Sequence, residues 1–172
     1  YTRLRLDFFD TPHPIVILDY LCYNSFYKYE DEGDNIMAIW QVALDLVKND
    51  DHIAFSNPAF ISSLKKLEEF FPETKSWCKT IRQYGELDST CIEFSIDDCD
   101  EISARIDLRS ISKIQLQALL EFATHNGLYI KYNDELYEAC MDTFINIFRE
   151  SNANNFVLDP EDFLKQRSEK SV

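Results

Sequence analysis

The stretch SIDDCDEI, from Ser95 to Ile102, places four carboxylates within five positions, with one cysteine among them. Carboxylate oxygens can bind hard cations such as Ca²⁺, and they can also attract a basic partner. The calcium loop of EF-hand proteins spans twelve residues, with a glycine at its sharp turn and a late glutamate. This stretch is shorter and contains no glycine. Its pattern therefore favours a solvated turn or a partner-binding surface over a calcium site.

Nucleophilic catalysis requires a serine or cysteine beside a histidine that an acid orients. The chain has three histidines: His13 lies between two prolines, His52 in a polar stretch and His125 at the end of a predicted helix. Each position has a structural explanation. No nucleotide-binding, zinc-protease or hydrolase motif occurs in the sequence. A binding protein is therefore predicted in preference to an enzyme.

Five cysteines are spread along the chain, and none is spaced as CxxC. Disulfide frameworks and zinc sites use closer, paired spacings. A free cysteine behaves as a small apolar residue, so we expect reduced cysteines in the core. The sequence predicts no metal and no other cofactor.

The net charge of −14 is concentrated in two windows. Residues 86–107 hold eight carboxylates against Arg105, and residues 134–162 hold eight against Arg149. Each window therefore has a net charge of −7, and the rest of the chain is neutral. This charge opposes binding to nucleic acids and anionic membranes, whose phosphates attract Lys and Arg. It favours a basic protein partner.

Helical spacing of apolar residues dominates the first half of the chain. Four segments carry apolar residues every three or four positions, and we predict helices there. They begin near Pro14, Asp34, Ser56 and Thr74. Pro72 ends the third helix, and Gly85 ends the fourth.

The pattern changes after Gly85. Residues 92–96 and 102–108 alternate between apolar and polar, which predicts a β-hairpin near residues 90–108. The remaining predictions are a helix over 112–126, a strand over 128–132, a helix over 134–149, a loop at SNANN and a short helix opened by Asp159 and Pro160.

These patterns predict an α+β fold that is predominantly α-helical, with about seven helices and the small hairpin. With 45% apolar residues and no glycine-rich linker, the 172 residues are expected to form one compact domain. It divides into a helical half (1–85), a mixed half (86–168) and a frayed tail (169–172). The predicted core anchors are Trp40, Phe60, Leu64, Leu67, Trp77, Ile81, Leu119, Leu120 and Phe144.

The predicted binding site is an acidic face built from both charged windows. In the helix predicted over 134–149, Asp134, Glu138 and Asp142 share one side, at spacings of four residues. We predict that they join the carboxylates of SIDDCDEI in docking on a basic partner. The predicted contact residues are Asp97, Asp98, Asp100, Glu101, Asp134, Glu138 and Asp142, and a secondary acidic cluster comprises Glu30, Asp31 and Glu32.

In size, acidity and the carboxylate clusters DDCDE and DELYEACMD, the chain resembles immunity proteins that bacteria make against toxins of contact-dependent growth inhibition. The resemblance implies a one-to-one complex with a cognate toxin domain, such as a nuclease. Two alternatives stay open: a regulatory protein that mimics DNA, and an enzyme whose carboxylate site assembles only in the fold. No apolar run approaches the roughly 18 residues of a membrane span, and no signal-peptide pattern opens the sequence. We therefore expect a cytoplasmic protein.

Overall fold

A seven-stranded antiparallel sheet and five helices form the described part of the protein, which comprises residues 38–48, 57–96 and 101–170 of a computed structural model. The strands are β1 (Gln41–Lys48), β2 (Glu73–Thr74), β3 (Ile81–Gly85), β4 (Cys91–Ser95), β5 (Glu101–Asp107), β6 (Leu128–Tyr132) and β7 (Glu135–Tyr137). The helices are α1 (Pro58–Glu68), α2 (Lys113–His125), α3 (Met141–Glu150), α4 (Asn152–Leu158) and α5 (Pro160–Lys170). The prediction of a predominantly helical fold with about seven helices is therefore wrong, because a large sheet is the central element.

The sheet has two chemically different faces. Its strand order is β2-β3-β4-β5-β1-β6-β7, and side chains alternate between the faces along each strand. The core face carries the buried apolar residues Val42, Leu44, Leu46, Ile92, Phe94, Ile102, Ala104, Ile106 and Ile130. The opposite face, which we call the polar face, carries Asp45, Gln83, Cys91, Glu93, Ser103 and Arg105.

Helices cover the core face. Phe60 of α1 makes edge-on ring contacts with Phe94 of β4 and Phe122 of α2, at centroid distances of 6.2 and 5.6 Å. Phe144 and Phe148 of α3 stack at 5.7 Å within the same apolar cluster. Helices α1, α2 and α3 thus bury apolar residues against the sheet or against one another.

Several predicted elements are confirmed where the local signals are strong. The Asn57 side chain accepts a hydrogen bond from the Ala59 N–H at 2.9 Å and caps α1, with Pro58 in the first turn. Ser112 and Gln115 form a reciprocal capping box at the start of α2. Strands β4 and β5 pair as the predicted hairpin, and β6 occupies the strand predicted over 128–132.

The helix predicted near residues 36–47 is wrong, because residues 41–48 form β1. Val42, Leu44 and Leu46 alternate in the sequence and are all buried on the core face. The predicted helical stripe comprised Ile36, Trp40, Ala43, Leu44 and Val47, and it shares only Leu44 with these buried strand residues. β1 pairs with β5 on one side and with β6 on the other, and this pairing stabilises the strand over the helix.

The helix predicted over residues 74–84 is also wrong. Residues 73–74 form β2, residues 81–85 form β3, and an exposed loop joins them. Trp77 lies in this loop with 72% of its surface exposed. Gly85 has a φ of +79° and lies so close to the Thr90 carbonyl that a Cβ would collide with it. This glycine therefore permits a close approach between strands rather than ending a helix.

The helix predicted over 134–149 begins later, at Met141, and SNANN belongs to helix α4 instead of a loop. Asn133 and Asp134 have φ values of +51° and +62° and form a two-residue turn between β6 and β7. Such turns require positive φ at both central residues, which Asn and Asp tolerate. In the described residues, no helix combines the length and the apolar character that a membrane span requires.

Most predicted core anchors are at least partly buried. Five are buried and confirmed: Phe60, Leu64, Leu67, Leu119 and Phe144. Trp40, Ile81 and Leu120 are partly buried. Trp77 is exposed, so its assignment to the core was wrong.

Candidate functional site

Three of the five described carboxylates of the first charged window are paired with cations. Glu93 forms an ion pair with Arg105 across β4 and β5. Asp107 is buried and binds Arg109, with Nη2 at 2.7 Å from Oδ2. Glu101 lies 3.8 Å from the Lys131 ammonium. Three of the window's eight carboxylates therefore have a cationic neighbour within the described protein.

The second window is different, because all eight of its carboxylates are exposed. Among the described residues, none of them lies within salt-bridge distance of a Lys or Arg. We call this set the C-terminal acidic cluster: Asp134, Glu135, Glu138, Asp142, Glu150, Asp159, Glu161 and Asp162. It presents unneutralised charge to the surroundings.

Turns and helix starts position the C-terminal acidic cluster. Asp134 is in the turn between β6 and β7, and Asp142 lies in the first turn of α3, where the helix dipole favours negative charge. The Glu138 carbonyl accepts a hydrogen bond from the Thr143 hydroxyl at 2.9 Å, which ties the β7–α3 connection to the helix. Asp159 caps α5 by accepting from the Asp162 N–H at 3.0 Å.

Two large apolar side chains are exposed among these carboxylates. Leu136 on the edge strand β7 is 52% exposed, and Leu158 at the end of α4 is 67% exposed. Leu136 is next to Glu135 in sequence, and Leu158 is next to Asp159. Exposed apolar side chains next to charged residues are compatible with a protein-binding surface.

The predicted contact residues fall into two groups. Asp97, Asp98 and Asp100 lie outside the described residues, as does the secondary cluster of Glu30, Asp31 and Glu32. Asp134, Glu138 and Asp142 are exposed, but they occupy a turn, a connection and a helix start instead of one helix face.

The register separates Glu101 from Asp134. Glu101 pairs with Val47 near the end of β1, whereas the turn containing Asp134 follows Lys131, which pairs with Asp45. Continuing this register places the turn level with Ala43, about 14 Å from Val47 along the strand direction at about 3.4 Å per residue. Docking by all seven residues on one partner stays a prediction, and it requires an interface that reaches both ends of β1.

The polar face contains ionisable groups that sequence reasoning did not single out. Burial, with a smaller contribution from the Glu101 carboxylate, raises the pKa of Asp45 above its usual value. Burial likewise raises the pKa of the Cys91 thiol to about 12. The alternation in residues 92–96 and 102–108 did place polar side chains on one face, but it gave no indication of their burial.

Thiol labelling should distinguish Cys91 from Cys140. Cys91 is fully buried with a raised pKa, so it forms little of the reactive thiolate, whereas Cys140 is exposed. We expect iodoacetamide to alkylate Cys140 in the native protein and to reach Cys91 only after unfolding in urea, as measured by peptide mass spectrometry. Labelling of native Cys91 at a rate similar to that of Cys140 would show that β4 is not buried.

Comparison with protein families, with curated proteins and with solved structures found no match to this chain. No family is assigned to it on this basis. Its function must therefore be inferred from its own charges and contacts.

Proposed function

We propose that the protein is an inhibitor that binds a basic protein partner, and that it acts in the cytoplasm as an immunity protein against a nuclease toxin domain. The observation that carries the proposal is the C-terminal acidic cluster, with eight exposed carboxylates and no salt bridge to a described Lys or Arg. The complex is expected to contain one copy of each protein.

The contrast between the two charged windows supports a role in binding. Glu93, Asp107 and Glu101 have cationic neighbours, so this chain does place Lys and Arg beside carboxylates elsewhere. Acidic residues that served solubility alone would be expected with interspersed cations, which relieve repulsion between like charges. Eight carboxylates with Arg149 as the one cation in residues 134–162 keep that repulsion. A basic partner would relieve it.

A nuclease toxin is a suitable basic partner because its active site must attract phosphates. Carboxylates can occupy such a cationic cleft, and long-range attraction raises the association rate by about 10- to 1,000-fold. The resemblance to immunity proteins in size, acidity and carboxylate clusters points to the same class of partner. Leu136 and Leu158 would supply apolar contacts, which complementary charge alone does not provide.

Capture of the partner tests the proposal. The purified chain is immobilised and exposed to extract of its native host at low salt, and bound proteins are eluted at high salt and identified by mass spectrometry. We expect a basic protein with nuclease activity that stoichiometric amounts of the chain abolish. A captured protein that is acidic, or a nuclease that stays active when saturated with the chain, would contradict the proposal.

A further inference from the structure

A cavity of about 430 Å³ is lined by the last two turns of α1 and α2. Its volume lies within the range of about 300–1,000 Å³ that is usual for small-molecule sites. The Asn126 side-chain amide, directly after α2, donates to the Ser63 hydroxyl of α1 at 2.8 Å. This hydrogen bond holds the two helices together beside the cavity, so the cavity is a feature of the packed helix pair.

Three of the lining side chains are large and apolar. Leu67 and Phe122 are buried, whereas the Phe70 ring, which follows α1, is 37% exposed. Phe122 also makes an edge-on contact with Phe60, which fixes the position of its ring. Aromatic rings bind apolar and aromatic groups through dispersion and edge-on contacts. The cavity therefore offers an apolar ligand group contacts that solvent does not provide.

Charged side chains of both signs line the same cavity. Lys66 comes from α1, and Glu121 and His125 come from α2. All three are exposed, and none of their side chains forms a salt bridge or hydrogen bond with another described residue. Lys66 and Glu121 therefore line one cavity without neutralising each other. A ligand that carries both an anionic and a cationic group can bind both of them.

We propose that this cavity binds a free amino acid with an apolar side chain. Lys66 binds its carboxylate, with a ring N–H of His125 as a second donor, and Glu121 binds its ammonium group. The ligand side chain packs against Phe70 and Phe122. A plain carboxylic acid would leave Glu121 without a partner, and a plain amine would leave Lys66 without one. The site shares no residue with the C-terminal acidic cluster, so it does not depend on the proposed function.

Titration of the ¹⁵N-labelled protein with phenylalanine tests this site. N-acetylphenylalanine lacks the ammonium group and resembles a peptide C-terminus, phenylalaninamide lacks the carboxylate, and glycine lacks the apolar side chain. We expect phenylalanine to shift the backbone amide signals of Lys66, Phe70 and His125. It should bind about tenfold or more tightly than each analogue, because hydrogen bonds to charged groups are the strong ones and glycine makes no apolar contact. No shift at these three residues, or equal affinity for any analogue, would overturn the proposal.

Two variants assign the charges of the ligand to the two side chains. Lys66→Met should weaken phenylalanine binding by about tenfold without weakening the binding of phenylalaninamide, which has no carboxylate. Glu121→Gln should weaken phenylalanine binding without weakening the binding of N-acetylphenylalanine, which has no ammonium group. Both residues are exposed, so both variants are expected to fold.

Lys65→Met is the matched control for Lys66→Met. Lys65 is the preceding residue on α1 and is also exposed, but it lies outside the lining of the cavity. This variant removes the same charge and should bind phenylalanine like the wild type. Equal losses in Lys65→Met and Lys66→Met would show that net charge, and not the cavity, determines binding. That result, or unchanged phenylalanine affinity in Lys66→Met, would contradict the proposal.

Discussion

Replacement of Arg109 by alanine is expected to lower the free energy of unfolding by about 3–5 kcal/mol, the range for removing one partner of a buried ion pair. The Asp107 side chain is 2% exposed and binds the guanidinium through both oxygens, at 3.0 Å from Nε and 2.7 Å from Nη2. The guanidinium also lies over the Trp40 ring at 3.8 Å from its centroid. Without Arg109, the Asp107 charge stays buried without its cation. Urea denaturation measures the loss.

Arg82→Ala is the matched control for this prediction. Arg82 also binds a carboxylate through two nitrogens, at 2.8 and 2.7 Å from Glu73, but both side chains of this pair are 39% exposed. Exposed pairs contribute about 0–1 kcal/mol, so this variant should lose little. Equal losses in Arg82→Ala and Arg109→Ala would show that burial of Asp107 does not determine the effect.

Leu46→Ala is expected to lower the free energy of unfolding by about 2–5 kcal/mol, because Leu46 is fully buried in the central strand β1. Val47→Ala should lose clearly less, since Val47 points to the polar face and is only partly buried. The helix predicted from sequence would reverse this order, because it placed Val47 on the apolar stripe. A larger loss in Val47→Ala, measured by urea denaturation, would contradict the strand.

Sequence reasoning succeeded where local signals decide the structure. The SNP stretch at residues 56–58 located the start of α1, apolar spacing located α2, and strict alternation identified β4 and β5. It failed for residues 41–48, where one set of apolar residues fits the helical period and a different set, Val42, Leu44 and Leu46, fits the strand period. The pairing of β1 with β5 and β6 depends on residues up to about 90 positions away, and no local pattern records it.

The sequence predicted the negative charge of the candidate site, but it did not predict which carboxylates form ion pairs with Lys or Arg. The count of carboxylates in the sequence defined both acidic windows. It could not show that Arg109 and Lys131, which lie outside the first window, approach Asp107 and Glu101 within it. It also treated Asp134, Glu138 and Asp142 as one helix face, although a turn at Asn133 and Asp134 starts a strand there. Long-range contacts therefore determine which of the two windows contains carboxylates in salt bridges with described Lys or Arg residues.

The rate of association with the captured partner at low salt tests the central claim most directly. The triple variant Asp134→Asn, Glu138→Gln and Asp142→Asn removes three charges of the C-terminal acidic cluster, and asparagine tolerates the positive φ at position 134. The control variant Glu68→Gln, Glu69→Gln and Glu121→Gln removes three exposed charges elsewhere. Asp98→Lys with Asp100→Lys tests the other acidic window in the same assay.

We expect the Asp134, Glu138 and Asp142 variant to associate about tenfold more slowly than the wild type, with a weaker dependence on salt, while the control variant stays close to the wild type. All three proteins should have the same circular dichroism spectrum. If the two triple variants slow association equally, net charge alone determines the rate. That result, or unchanged rates in both variants, would contradict a partner-binding role for the C-terminal acidic cluster.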